Sequence, residues 1–126
     1  MGRKKKYEAE RFETPVKGEH FTRLYDTMLK SDAWKDLNHA SRSVYLILKM
    51  QYKGDYTGNT VQCPYKDFRE YGMNTLTVKK AITDLTEHGF IRCDNGIVVY
   101  HEGSKTLHRT PNEYTFISDW IKWKCE

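Results

Sequence analysis

The sequence predicts one α+β domain, mainly α, with a small antiparallel β-sheet in its C-terminal half. Three observations predict it. Apolar residues recur at helical spacing between Phe21 and Leu85. Gly72 and Gly89 bracket a segment with its own capping residue. After Gly89 the pattern changes to short alternating or β-branched runs. A chain of 126 residues has room for one modest core.

Residues 1–20 carry charge, Pro15 and Gly18 but no periodicity, so they are expected to form a flexible basic arm. From Phe21, apolar residues at 21, 24, 25, 28 and 29 fall on one helical face. Asp32 is expected to cap a short helix over "AWKDL", and Asn38 the next. That next helix, "HASRSVYLILKMQY", is apolar on most sides and is expected at the centre of the domain. "KGDYTGN" ends it in a turn-rich loop. "TVQC" reads as a small strand, and Pro64 as the first residue of the helix "PYKDFREY", closed by Gly72.

Asn74 is expected to cap the following helix. Its core face is Val78, Ala81, Ile82 and Leu85; its opposite face is Thr75, Leu76, Lys79, Lys80 and Thr83. "FIRC" begins a strand. "DNG", residues 94–96, reads as a hairpin turn returning through "IVVYHE". "GSKTLHRTP" reads as a loop, "NEYTFI" as a third strand, and residues 119–126 as a C-terminal tail or short helix.

Composition excludes several classes. No apolar run approaches the roughly 18–20 residues that span a bilayer. The start, "MGRKKKYEAERFE", lacks the apolar core of a secretory signal, and Lys6 stands where a myristoylation motif needs Ser or Thr. A cytoplasmic protein without membrane association is expected. Cys63, Cys93 and Cys125 form no CxxC pair, and the five histidines share no ligand spacing, so no metal or cofactor is expected. GxxxxGK[ST] and HExxH are absent, so no enzyme and no small-molecule substrate are expected. The net charge of +4 is permissive for nucleic acid, and the charge is clustered: Arg3, Lys4, Lys5 and Lys6; Lys79 and Lys80; "SKTLHR" at 104–109.

The stretch "CPYKDFREYGMNTLTVKKAITDLTEHGFI", with the strands after it, resembles a winged helix-turn-helix domain. The resemblance covers residues 21–118. More narrowly, "HFTRLYDTMLKSDAWKDLNHASRSVYLILKMQY" and "NEYTFISDWIKW" are similar to replication-initiator-like and regulatory winged-helix proteins of plasmids, phages and conjugative elements in Gram-positive bacteria. The resemblance implies sequence-specific binding of double-stranded DNA, in transcription regulation or DNA replication. It implies a recognition helix carrying Asn74, Thr75, Leu76, Thr77, Lys79, Lys80 and Thr83, with Lys80 toward a guanine edge and Leu76 toward a thymine methyl. It implies a wing carrying Ser104, Lys105, His108 and Arg109. The Arg3–Lys6 arm, Tyr65 and Lys66 would reach phosphate or an adjacent groove. A homodimer or another replication or transcription protein is the expected further partner. The alternative is a winged helix used for protein–protein contact, toward which Asp84 and Glu87 lean.

Overall fold

Side-chain caps decide where the main helices begin. The computed structural model describes residues 16, 18–53, 58–96, 98–101, 103 and 106–124. Its helices are α1 (Asp26–Leu29), α2 (Asp32–Asp36), α3 (His39–Met50), α4 (Tyr65–Arg69) and α5 (Thr75–Glu87). Ser31, Asn38 and Asn74 accept hydrogen bonds from the amides of Trp34, Ser41 and Thr77 at 3.2, 2.8 and 2.8 Å. Each satisfies an amide that the helix itself leaves without a partner.

Glycine ends α4 and α5. Gly72 and Gly89 have φ of 79° and 80°, a region that costs other residues strain. Beyond Gly89, the Phe90 amide donates to Leu85 O at 3.0 Å; beyond Gly72, the Met73 amide donates to Phe68 O at 3.2 Å. Both are six-to-one helix closures with an apolar residue after the glycine. Gly89 is doubly required, because a Cβ there would lie 2.8 Å from the Asp119 backbone.

The strands are β1 (Thr60–Gln62), β2 (Ile91–Asp94), β3 (Val98–His101), β4 (Thr106–Arg109) and β5 (Glu113–Phe116). They form a three-stranded antiparallel sheet of order β1-β5-β2 and a separate antiparallel β3-β4 ribbon. Tyr114 of β5 sits between Val61 and Cys93 and is fully buried. The core lies between α3, α5 and this sheet: Val44, Leu48, Phe68, Val78, Leu85, Phe90 and Ile91 are all fully buried. Trp34, Tyr45 and Phe90 meet edge to face at 5.5–5.7 Å, a geometry that suits their ring quadrupoles. A terminal 3₁₀ helix, Asp119–Lys122, lays Trp120 flat against Phe90. The architecture is therefore α+β with a small antiparallel sheet. Among the described residues, no helix is long and apolar enough to cross a membrane.

Several local expectations are corrected. Residues 21–25 are not helical, and Phe21 and Tyr25 are exposed. So short a helix depends on tertiary packing, and only Leu24, Met28 and Leu29 of that stripe reach the core. Ser31 caps α2, and Asp32 is its first residue. Pro64 lies one position outside α4, with ψ of 156°. "DNG" is not a hairpin turn: β2 pairs with β5, and β3 pairs with β4. Much of "GSKTLHRTP" is strand rather than loop. The loop at 53–59 lies largely outside the described residues.

Candidate nucleic-acid interface

Helix α5 has two faces. Val78, Ala81, Ile82 and Leu85 are buried, as their spacing required. Lys79, Lys80 and Thr83 are exposed, and Leu76 is 63% exposed. Its first turn carries no acidic residue, so no side chain of that turn offsets the positive end of its dipole. Asn74 and Thr77 are partly committed to the helix, since the Asn74 carbonyl oxygen accepts the Thr77 amide. Thr75 is half-buried. The Thr83 hydroxyl donates back to Lys79 O at 3.1 Å, so it is already engaged with the helix backbone.

Tyr65, at the start of α4, is where separate segments meet. The Lys79 ammonium lies 5.9 Å from its ring centre. Arg109, at the end of β4, lines a cleft of about 180 Å³ together with Tyr65. The Tyr65 hydroxyl accepts from Asn112 Nδ2 at 3.3 Å. Asn112 is itself buried, and its Oδ1 accepts the Gly96 amide at 2.8 Å. A Cβ on Gly96 would overlap the Thr110 carbonyl, so glycine lets the two ends of the β3-β4 ribbon close together. Asn112 thereby ties the foot of the ribbon to α4. Lys66 is exposed on α4.

Arg3, Lys4, Lys5, Lys6, Ser104 and Lys105 lie outside the described residues. His108 contributes its backbone to β4.

Asp84 faces inward. Its Oδ2 accepts from the Ser41 hydroxyl at 2.6 Å and from the Asn38 amide at 3.2 Å, bracing the start of α3 against α5. His88, after α5, is also buried. Its Nε2 meets Asp36 Oδ2 at 2.8 Å and its Nδ1 meets Asp84 O at 2.7 Å. A carboxylate and a carbonyl can only accept, so both contacts are satisfied when the imidazole is protonated on both nitrogens. Burial pushes the His88 pKa down, but the Asp36 hydrogen bond and the Asp84 contacts outweigh it, and the net shift is upward. Burial, aided by Asp67, pushes the Cys63 thiol up to about 12, which keeps it protonated at neutral pH. No group of His, Cys, Asp or Glu among the described residues could hold a metal ion.

No protein-family model, curated protein or solved structure matches the chain. Two residues beside Tyr65 and Lys66 are not expected from the sequence. Arg69 is exposed three residues after Lys66, a spacing that marks one helical face. Asn112 carries no local signal, because its role depends on how β5 is placed.

Proposed function

We propose that this protein is a winged helix-turn-helix protein that binds double-stranded DNA sequence-specifically, as a transcriptional regulator or a replication-initiator-like module of a mobile element. In this reading α4 and α5 are the helix-turn-helix, α5 enters the major groove, and the β3-β4 ribbon is the wing. The observation that carries it is the outer face of α5: Leu76, Lys79 and Lys80 stand in solvent on a helix whose other face is locked into the core. A helix held that rigidly can present side chains to base edges in fixed register.

The roles follow from chemistry. Lys80 donates to a guanine edge as a point charge, without the fork of an arginine. Leu76 meets a thymine methyl. The uncompensated start of α5, with Thr75 and Thr77, takes a phosphate. Lys66, Arg69 and Arg109 flank Tyr65 and contact the backbone, setting register without reading sequence. The protein-contact alternative rests on Asp84 and Glu87; Glu87 is exposed near the C-terminal end of α5, while the Asp84 carboxylate is spent on Ser41, Asn38 and His88. That weakens it.

Selection of bound duplexes from a random pool, followed by a salt series on the winner and a scrambled control, tests the reading. Affinity should fall linearly in log[salt], by a slope of about 0.9 per phosphate contact. Absence of binding to any duplex at low salt would sink it.

A further inference from the structure

Helix α3 also turns a face to solvent, and its chemistry is different. Leu46 and Met50, one turn apart, are 40% and 42% exposed. With Thr22, Ile47, Tyr71 and Met73 they line an open groove of about 520 Å³. Clefts lined by Phe21, Tyr25 and Tyr52, and by the charged Arg23, Lys49 and Lys53, continue from it, sharing Thr22 and Met50. Phe21, Tyr25 and Tyr71 are 79%, 66% and 59% exposed. Single exposed apolar residues need no explanation, but six large ones along one continuous surface do.

We infer that this surface is the contact between two copies of this chain in a two-fold dimer. Three observations favour a second copy as the occupant. The first is area. At roughly 150–250 Å² for each aromatic side chain, the exposed parts sum to on the order of 600 Å² per copy, so a pair would bury about the 1,200 Å² at which specific interfaces begin. The second is shape. Phe21 stands beside the groove without filling it, so knob and hole lie on the same surface. A two-fold axis seats both knobs at once and leaves no open end. The third is charge. Exposed Glu19, Arg23 and Lys53 line its clefts together with half-buried Lys49. A rim of both signs matches itself across a two-fold axis better than it matches a partner of one sign. Leu76, Lys79 and Lys80 take no part in this surface, so the dimer leaves both α5 outer faces free.

The inference does not depend on DNA binding, and it is tested without DNA. Sedimentation equilibrium of the full chain between about 1 and 200 µM should show the mass rising from 15.0 kDa toward twice that value. Phe21→Glu and Leu46→Glu should each raise the midpoint concentration by roughly 10-fold or more, by burying a carboxylate without a partner at the contact. Phe21 makes little contact with its own chain, so Phe21→Glu should keep the parent circular dichroism and melting temperature and isolates the effect on association. Ile121→Glu, at an exposed position of the terminal 3₁₀ helix away from this surface, should leave the midpoint unchanged. A parent that stays at 15.0 kDa throughout overturns the inference, as does a dimer equally stable with Phe21→Glu.

Discussion

Helices α3 and α5 pack against each other and supply much of the same core, yet their outward faces have opposite chemistry. Helix α5 shows solvent Leu76, Lys79, Lys80 and Thr83, with Thr86 and Glu87 in its last turn; α3 shows Leu46 and Met50 beside Phe21 and Tyr71, with His39 and Ser43 nearer its start. The inner stripe of a helix decides where it sits. What the outer stripe holds decides what else the molecule can touch, and here the two outer stripes suit a polyanion and an apolar surface.

That division makes separable predictions. Leu85 is fully buried on the shared side, so Leu85→Ala should cost roughly 2–5 kcal/mol in chemical denaturation and weaken DNA binding and self-association together. A midpoint equal to the parent would mean that the faces of α5 are assigned wrongly. Lys80→Ala should act on one function alone. It should cost about 1–3 kcal/mol on the selected duplex, relax preference at one position, and leave sedimentation unchanged. Equal losses on selected and scrambled DNA would move Lys80 from base to phosphate. Asn74→Ala removes the α5 cap and should cost about 0.5–2 kcal/mol of stability in chemical denaturation.

The smallest effect concerns pH. The folded pKa of His88 is raised, so its stabilisation is complete below the unfolded value near 6.5 and is lost as pH rises through the folded value. The melting temperature should therefore decline over that window, and the decline should be absent in His88→Gln. A parent profile that is flat there, or rises, would show that the Asp36–His88 contact contributes no charge stabilisation.

The features legible in the sequence were those written in a few neighbouring residues. Asn38 and Asn74 were expected as caps and are caps, because a cap needs only the amide three residues on. Gly72 and Gly89 end their helices, and the buried stripe of α5 follows from spacing alone. Readings that needed a distant partner failed. Asn95-Gly96 has the local signature of a hairpin, yet Gly96 is there to let the chain pass Thr110. Strand β2 finds its partner in β5, beyond the whole ribbon, and no window around residue 94 contains that fact. Apolar content alone also misled: Leu46 and Met50 read as centre and lie at a surface. The convergence of Lys79 and Arg109 on Tyr65 depends on the same distant pairings.

The position of β5 has a consequence for biosynthesis. The middle strand of the sheet is the last of the three to be made: residues 113–116 pair with strands that begin at residues 60 and 91. A nascent chain can close its capped helices as they leave the ribosome, but the sheet has no centre until β5 emerges. Until then, both inner edges and the seat of Tyr114 stand open, a template for pairing with other chains. The interval between release of β2 and arrival of β5, which the ribbon lengthens, is the period in which this protein is most exposed to misassembly.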